Sequence, residues 1–356
     1  MTPNTALRRG WTTGSCATAA AKAAWILLRT GDYPDPVNIT LPGGKSAAFA
    51  VNGASRTGDT AWASVIKDAG DDPDVTHGAL ISATIESAPT GAGIVFRAGP
   101  GVGTITRPGL PLPPGEPAIN PVPRDMIRRA LTEITPAGAD AIVTISIADG
   151  ENLAEKTLNA RLGIIGGLSV LGTTGVVIPY SCSAWIHSIH RGIDVARALG
   201  LPHLAASTGS TSENAVQALY ELPETALIDM GDFAGGTLKY LHRHSVPRLT
   251  IAGGIAKMTK LAQGHLDLHS SRSLADPLAL LTLAAPLSLS PGQIESLRHT
   301  SSIAEAFSAL QDPRLGTLIA QAAAATARRT LNAPGCALDV VVFDRQGKLV
   351  GRSGLS

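Results

Sequence analysis

The sequence is poor in aromatic and charged residues and has almost no excess of either charge. Aromatic residues make up 4% of the 356 residues and charged residues 16%, and 29 Lys and Arg against 28 Asp and Glu leave a net charge of +1. Because nucleic-acid-binding proteins usually carry a basic excess or stripe, this balance argues against a nucleic-acid partner. A hydrophobic fraction of 44% excludes a disordered chain. Its core must consist mainly of Ala, Leu, Ile and Val.

Long apolar runs and closely spaced cysteines are also missing. No stretch reaches the roughly 20 apolar residues that a membrane-spanning helix requires, and the apolar stretch at 278–289 is short and interrupted by proline. The run at 17–28 follows Arg8 and Arg9 as in a signal peptide, but it contains Lys22 and lacks a convincing cleavage site. The three cysteines show neither disulfide nor metal-ligand spacing. We therefore expect a cytoplasmic protein with no membrane partner.

Several familiar catalytic signatures are absent as well. There is no G-x-S-x-G, no P-loop and no C-x-x-C, so the sequence does not favour a hydrolase, a P-loop nucleotide-binding enzyme or a thiol redox protein. His265 and His269 have the spacing of a helical metal pair, but no H-E-x-x-H motif is present and no metal site is predicted. One polar helix stripe is explained by a solvated face; it consists of His187, His190, Arg191, Asp194 and Arg197.

The first half of the chain, residues 1–180, predicts an α+β domain. An Ala-rich segment at 16–29 favours a helix that stops at Gly31, and a second helix is expected at 124–134 before a strand at 141–147. Short β-like runs bounded by turn residues lie between these helices, at 37–41, 47–51, 62–66, 79–85 and 94–97.

The second half, residues 181–356, shows a different order of predicted elements. After an amphipathic helix that begins at Ser183, a strand, a glycine turn and a helix recur at roughly 25-residue spacing, the pattern typical of βαβ units. Such units form a parallel sheet covered by helices. The strands are predicted at 204–207, 226–230, 249–252 and 337–343.

Glycine turns follow three of these predicted strands. In an open parallel sheet the carboxyl ends of the strands form the edge where ligands bind, and glycine lets a ligand approach the backbone. Aspartates at the same edge can accept hydrogen bonds from a ribose, which suits a nucleoside cofactor. A full G-x-G-x-x-G is absent, so ordinary βα turns remain an alternative. The candidate cofactor-binding residues here are Thr208, Gly209, Asp229, Asp232, Gly253 and Gly254.

Two polar groups in the first half are further candidates for binding. Thr12, Thr13 and Ser15 precede or open the Ala-rich helix, where free backbone N–H groups favour an anion. An N-cap with nothing bound is the alternative interpretation. Lys67 and Asp68 follow a strand-like run and are also explained by a solvated turn.

Several long segments together resemble the CbiD family, the cobalt-precorrin-5B C1-methyltransferases of cobalamin biosynthesis. The similarity spans most of residues 8–270, and we see little to compare beyond about residue 275. The motifs that carry it are GWTTGSCA at 10–17, VIKDAGDDPD at 65–74, PPGEPAINPVPR at 113–124 and NARLGIIGGLSVLGTTG at 159–175.

The resemblance implies methyl transfer from S-adenosylmethionine to carbon C1 of a tetrapyrrole, by an α+β domain beside a Rossmann-like α/β domain. Thr173 and Thr174, just before the domain boundary, then become further candidates for the cofactor site, and a structural hinge is the alternative interpretation of this segment. The family's Gly-His-Ile-Gly-Lys motif reads GGIAK at 253–257, so its histidine is missing at Gly254, and the family's Asn-Thr-His-Ser reads DLHS at 267–270.

The macrocycle is itself the nucleophile in this hypothesis, so alignment of carbon, methyl and sulfur is the enzyme's main task. His269 is the candidate for moving a proton on or off the ring. The substrate's many carboxylates call for cationic residues at its site; the candidates are Lys67, Arg124, Arg161, Lys257 and Lys260.

Two other functions remain open: a non-catalytic tetrapyrrole-binding module that chaperones an intermediate of the same pathway, and a kinase or ligase acting on a phosphorylated metabolite. Absence of a phosphate-gripping P-loop counts against the latter. A homo-oligomer is compatible with the sequence, which does not determine the oligomeric state.

Overall fold

A computed structural model describes residues 7–300, 302–310 and 312–355. The chain divides into two compact units, Met1–Cys182 and Ser183–Ser356. Each unit has its own hydrophobic core. No described helix combines the length and the apolar character that crossing a membrane demands.

The first unit mixes helices with short strands. Its helices are α1 (Thr13–Thr30), α2 (Pro121–Ile134) and α3 (Gly150–Ala154). The longer strands are β2 (Val37–Thr40), β3 (Ser46–Phe49), β4 (Gly53–Thr57), β5 (Thr60–Ile66), β6 (Leu80–Ser87), β7 (Ile94–Ala98) and β10 (Ala141–Ile147). Two-residue strands complete it: β1 (Gly10–Trp11), β8 (Gly101–Val102), β9 (Thr104–Ile105), β11 (Ile164–Ile165), β12 (Gly167–Leu168) and β13 (Val176–Val177).

Helix α1 forms the centre of the first core. The Thr12 hydroxyl caps it by accepting a hydrogen bond from the Ser15 N–H at 3.2 Å. Gly31 ends it in the left-handed conformation, with φ 84° and its N–H donating to the Leu27 carbonyl. The alanines of α1 are almost all buried because their small side chains let the helix pack closely on β5, β6 and α2. The predicted helix and its stop are confirmed.

The main sheet of this unit has the order β4-β5-β6-β10-β7. Strand β10 is antiparallel to β6 and parallel to β7. Along β10 every second residue is buried, from Ala141 to Ile147, as expected when one face of a strand covers a core. All five short runs predicted as strands are strands here, with ends shifted by one or two residues.

The second unit is built on a sheet of order β15-β14-β16-β17-β18, parallel except for β18. Its strands are β14 (His203–Ser207), β15 (Leu227–Asp229), β16 (Arg248–Gly254), β17 (Ala337–Phe343) and β18 (Leu349–Arg352). Its helices are α4 (Cys182–Ala198), α5 (Ser210–Tyr220), α6 (Ala234–Arg243), α7 (Ile255–Ala262), α8 (Ala279–Ala284), α9 (Pro291–Arg298), α10 (Ile303–Leu310) and α11 (Arg314–Leu331). The four predicted parallel strands are confirmed.

Sequence reasoning missed most of the structure after residue 275. Four helices follow there, and the last of them, α11, packs against α7, β17 and β18. The buried face of α11 consists largely of alanine and leucine. Strand β18 returns antiparallel after a tight turn at Asp344 and Gly347. The segment is therefore an integral part of the second core.

A buried polar network ties the amino ends of these strands together. Asp339 in β17 is 0% exposed and accepts hydrogen bonds from the Tyr220 and Thr250 hydroxyls, both at 2.5 Å. His203 Nε2 lies 2.8 Å from Thr250 Oγ1. Since the Thr250 proton points to Asp339, the neutral His203 ring donates from Nε2. Burial raises the pKa of Tyr220 to about 12, so the phenol remains a donor at physiological pH.

This network predicts an acid-sensitive step in stability. Burial, aided by the Arg248 cation, lowers the pKa of His203 from 6.5 to about 4. As pH falls from 6.5 towards 4, His203 becomes protonated in the unfolded chain but stays neutral in the folded chain. The free energy of unfolding therefore decreases through that window. Allowing for the partial exposure of the ring, we expect a loss of about 1–2 kcal/mol.

Urea unfolding of the wild type and of His203→Gln, compared at pH values above and below this window, measures the effect. Glutamine keeps a donor for Thr250 but does not titrate, so its stability should change less over the window. An equal pH dependence in the two proteins would contradict the assignment to His203.

Candidate functional site at the strand ends

Three parallel strands of the second unit end side by side. Strands β14, β15 and β16 are neighbours in register, with Ser207 opposite both Asp229 and Ala252. The structure thereby brings to one sheet edge all six residues predicted there for the cofactor. They are Thr208, Gly209, Asp229, Asp232, Gly253 and Gly254.

Lys257 links these strand ends. From the first turn of α7, its Nζ donates to the Thr208 carbonyl at 2.7 Å and lies 3.0 Å from Asp232 Oδ1. One ammonium group thus holds the turns after β14 and β15 against the start of α7. The sequence predicted Lys257 for the substrate; the structure places it among the predicted cofactor residues.

The glycines at this edge differ in their surroundings. A Cβ on Gly253 would lie 2.6 Å from Met258 Cε and 2.8 Å from Thr208 Oγ1, so Gly253 is required by packing. A Cβ on Gly209 or Gly254 would meet nothing within 4 Å. Gly209 and Gly254 therefore leave open space beside the strand ends, whereas Gly253 does not.

Trp185 is a residue of this edge that sequence reasoning missed. Its indole Nε1 donates to the Asp229 carbonyl at 3.2 Å, yet the residue is 48% exposed. A Cβ on Gly231 would lie 3.4–3.5 Å from the indole ring. Large aromatic residues are rare in this sequence, so a tryptophan in the first turn of a helix was a usable signal. Trp185 presents a flat apolar surface next to the Asp229 strand end.

The segment at 266–269 also reaches this edge. The Leu268 N–H donates to the Asp232 carbonyl at 2.9 Å, which places His269 one residue away. His269 Nδ1 accepts a hydrogen bond from the Ser271 N–H at 3.2 Å, so the neutral ring carries its proton on Nε2. Lys260 is buried and donates to the Leu268 carbonyl at 2.8 Å; its amine supports this segment.

The other predicted residues belong to the first unit, and several lie around the start of α1. Ser15 Oγ donates to the Gly175 carbonyl at 2.7 Å, and the Gly14 N–H donates to the Leu171 carbonyl at 3.0 Å. Thr12 and Thr13 are buried beside them. The loop that carries Thr173 and Thr174, both exposed, therefore packs on the first turn of α1 and uses part of its donor capacity.

Lys67 is buried in an ion pair, which differs from the solvated turn considered above, whereas the Asp68 side chain is 45% exposed and pairs with the exposed Arg8, as such a turn allows. Lys67 is 1% exposed, and its Nζ lies 2.6 Å from Asp74 Oδ2. Asp68 accepts hydrogen bonds from the Arg8 guanidinium and the Gly70 N–H, which lower its pKa to about 2. Burial raises the pKa of the Cys16 thiol to about 12, so this cysteine is not a nucleophile.

The two arginines predicted for the substrate also have internal partners. Arg124 is buried; it donates to the Ile119 and Pro117 carbonyls at 2.7 and 3.0 Å and pairs with Glu116 at 2.8 Å. Arg161 lies in the turns after α3, where its carbonyl accepts Arg107 Nη1 at 2.8 Å. Most of the hydrogen-bonding capacity of the Arg124 guanidinium is thus used by partners within the protein.

Within the described parts of the chain, no three His, Cys, Asp or Glu side chains are grouped so that they would hold a metal ion. Helix α7 ends at Ala262, so the histidines at 265 and 269 do not share a helix face.

The polar helix stripe at 187–197 was predicted to be a solvated face, and this prediction is wrong for two of its residues. His190 stacks on Tyr240 of α6, with ring centroids 3.7 Å apart, and Asp194 accepts the Tyr240 hydroxyl at 2.7 Å.

Comparison with known proteins places these observations in a family. The CbiD family model matches residues 1–179, and the model of the CbiD C-terminal domain matches residues 267–354. The second match includes the region after 275 for which the sequence alone had offered no comparison.

Individual relatives cover nearly the whole chain. The cobalt-precorrin-5B C(1)-methyltransferases of Agrobacterium fabrum and of Bradyrhizobium sp. strain BTAi1 are both 60% identical to it, over 98% of this chain and 93% and 94% of theirs. Among solved structures, a cobalamin biosynthesis protein (cbiD) from Archaeoglobus fulgidus is 27% identical, covering 70% of this chain and 77% of that one, with a TM-score of 0.40.

Proposed function

This chain belongs to the CbiD family, and from that membership we propose that it methylates carbon C1 of cobalt-precorrin-5B in cobalamin biosynthesis. The observation that carries the proposal is the 60% identity, over 98% of the chain, to two proteins bearing that activity in their names. The substrate partner is then a tetrapyrrole. We further propose a cytoplasmic location, which suits a biosynthetic enzyme.

We propose that the methyl donor is S-adenosylmethionine and that it binds at the strand ends of a Rossmann-like second unit. Support comes from the strand order, which reverses between β14 and β16; open sheets of this kind bind ligands at such a reversal. When bound, S-adenosylmethionine supplies an electrophilic methyl group on a positively charged sulfur.

The residues at this edge fit such a donor. Asp232 pairs with Lys257 through Oδ1, and its second carboxylate oxygen can accept a hydrogen bond from a ligand. The open space at Gly209 and Gly254 admits the donor close to the backbone. The exposed indole of Trp185 offers a surface for an aromatic base or a cation. Thr173 and Thr174 belong to the first unit and remain predictions for the cofactor.

In this mechanism the protein contributes mainly by aligning the ring carbon with the methyl group and sulfur of the donor. Lys257 fixes the Thr208 and Asp232 turns relative to each other, and rigid placement of the donor is worth several kcal/mol of the barrier in favourable cases. No nucleophilic side chain is needed because the macrocycle attacks the methyl group. His269, which holds a proton at Nε2, is the candidate for adjusting the protonation of the ring.

The space at Gly254 makes the placement of the donor testable. Gly254→Phe is expected to raise the Kd for S-adenosylmethionine by about tenfold or more, since the ring would fill that space. The backbone there is extended, with φ −73°, so the cost in folding stability should stay below about 1 kcal/mol. Isothermal calorimetry and thermal unfolding measure the two effects.

Gly254→Ala is the matched control, because a methyl group in open space should leave the affinity almost unchanged. Wild-type affinity in the phenylalanine variant would remove this space from the donor site.

The activity itself is tested by incubating the purified protein with the tetrapyrrole and isotopically labelled S-adenosylmethionine, followed by mass spectrometry of the macrocycle. One labelled methyl group per ring is expected with the cobalt-containing substrate, and a parallel reaction with the metal-free ring decides whether cobalt is required. Binding of the ring without methylation, and without affinity for the donor, would instead support a non-catalytic tetrapyrrole-binding module.

A further inference from the structure

A basic cavity lies along the helices of the second unit, away from the strand-end residues described above. It has a volume of about 650 Å³ and is formed by α4, α6 and the end of α11. Its lining includes Ile186 and His190 from α4, Lys239, Tyr240 and Arg243 from α6, and Arg329 from α11.

The charge of this cavity is of one sign. Lys239, Arg243 and Arg329 line it, and none of its described lining residues is Asp or Glu. Arg329 Nη2 donates to the Thr326 hydroxyl at 3.1 Å. The nearby Asp194 carboxylate is already occupied by the Tyr240 hydroxyl at 2.7 Å and by Arg191 at 3.2 Å. Three cations therefore face a cavity in which the protein supplies no counter-charge.

One side of the cavity is a stack of rings. Tyr240 lies between His190 and His244, with centroid separations of 3.7 and 4.0 Å and interplanar angles of 11° and 17°. Burial, with help from Asp194, raises the pKa of Tyr240 to about 12 and keeps the phenol neutral. Both faces of Tyr240 are thus covered, and the stack offers ring edges and the flat outer faces of its two histidines beside the cations.

Two histidines of the lining, His242 and His244, have one ring nitrogen fixed. His242 Nδ1 lies 2.9 Å from the Leu331 carbonyl, and His244 Nδ1 lies 3.1 Å from the Tyr240 carbonyl. Because carbonyls only accept, both Nδ1 atoms carry the proton. Their Nε2 atoms are left for a ligand and become donors when the rings are protonated.

We propose that this cavity binds the carboxylate side chains of the acidic tetrapyrrole, a ligand class whose identity rests on the proposed function. Unopposed cations in a concave site favour a polycarboxylate, and the flat ring stack favours a planar partner. The same charge disfavours the cationic methyl donor, so the cavity is assigned to the acidic substrate alone.

The position of the cavity agrees with this role. Ile186 of its lining follows Trp185 in α4, and a Cβ on Gly236, also in the lining, would lie 3.5 Å from Ile186 Cγ1. Asp232 lies only four residues before Gly236, at the start of α6. Arg243 lies at the other end of α6, so a ring whose carboxylates bind it would lie along this helix, with Gly236 at the end nearer to Asp232.

Uroporphyrin, a stable polycarboxylate porphyrin, is the probe for this site. Its binding to the full-length protein is followed by quenching of porphyrin fluorescence, for the wild type and for Arg243→Glu combined with Arg329→Glu. We expect the double variant to bind at least tenfold more weakly, and the wild-type affinity to fall as salt is added. Both side chains are exposed, so folding should be preserved; Lys239→Ala provides a second, milder variant with a smaller loss.

Arg298→Glu is the matched control, since Arg298 lies on α9 outside the described cavity lining and pairs with Glu295 on its own helix. Unchanged uroporphyrin affinity in both cavity variants would overturn the proposal. Equal displacement of uroporphyrin by citrate or phosphate would also overturn it, because the cavity would then be a site for small anions. Resistance to those anions supports a tetrapyrrole ligand.

These outcomes are separable from failure of the proposed function. Calorimetry with S-adenosylmethionine should give the same Kd for the wild type and the double variant. If uroporphyrin binding depends on the cavity cations but no methyl group is transferred by the wild type, only the proposed activity fails. If methylation proceeds with wild-type KM for the tetrapyrrole in the double variant, only the cavity proposal fails.

Discussion

Lys257→Met is expected to weaken S-adenosylmethionine binding by at least tenfold and to slow methylation by a similar or larger factor. Methionine has nearly the length of lysine but donates neither to the Thr208 carbonyl nor to Asp232. Losing a charge-assisted hydrogen bond and an ion pair at this partly buried position removes on the order of 1–3 kcal/mol from the interactions that hold the two turns. The expected tenfold rise in Kd, about 1.4 kcal/mol, follows from displacement of these turns and not from a lost contact with the donor.

Calorimetric titration with the donor and initial rates with the tetrapyrrole measure this prediction. Lys45→Met makes the same chemical change in the exposed turn before β3 and should behave as the wild type. A Lys257→Met protein with normal donor affinity and normal rates would mean that the strand ends keep their geometry without the ammonium group, and that the donor site lies elsewhere.

Asp339→Ala is expected to cause a large loss of stability in the second unit, of about 3 kcal/mol. The substitution leaves the Tyr220 and Thr250 hydroxyls without their acceptor. It also removes the carboxylate that lies 3.7 Å from Arg248 and 3.5 Å from Arg352. Breaking a buried ion pair by removing one partner costs about 3–5 kcal/mol; we expect the lower end because both arginines are partly exposed.

Chemical unfolding followed by circular dichroism measures this loss. Glu295→Ala is the contrasting variant: Glu295 is also ion-paired, to Arg298 and His299, but it is exposed on α9. Exposed pairs contribute little, so its effect should stay within about 0.5 kcal/mol. Similar losses in the two variants would show that burial of Asp339 is not what makes its interactions strong.

Local chemistry explains why parts of the fold were predictable. The hydroxyl of Thr12, the following alanines and Gly31 specify the start, the body and the end of α1, because capping and helix propensity depend on residues close in sequence. The alternation along β10 is equally local. The strands of the second unit were predictable because a short apolar run that is followed by a glycine turn and a helix is compatible with few structures other than a βα unit.

The helices after residue 275 were not predictable in the same way. The buried face of α11 depends on partners in α7 and β18, and alanine stands at both its buried and its exposed positions, so residue type alone does not mark that face. Small residues are selected there by close packing, a property of the partner surfaces and not of the segment itself.

The sequence by itself determined the family of this protein and the edge at which its predicted cofactor residues meet. Parallel strands carry their carboxyl ends to one side of a sheet, so residues just after each strand are brought together by topology alone. Only the tertiary structure decided which cations remain available to a ligand. Lys67, Arg124 and Lys260 have internal partners, whereas Arg243 and Arg329 line an acid-free cavity.

The physical reason is distance along the chain. Lys257 and the Thr208 carbonyl are 49 residues apart, and the Tyr220 hydroxyl and Asp339 are 119 apart. A charged side chain either pairs with another group of the protein or is available to bind a ligand. Which of the two occurs depends on such long-range partners, which no local pattern of residues encodes.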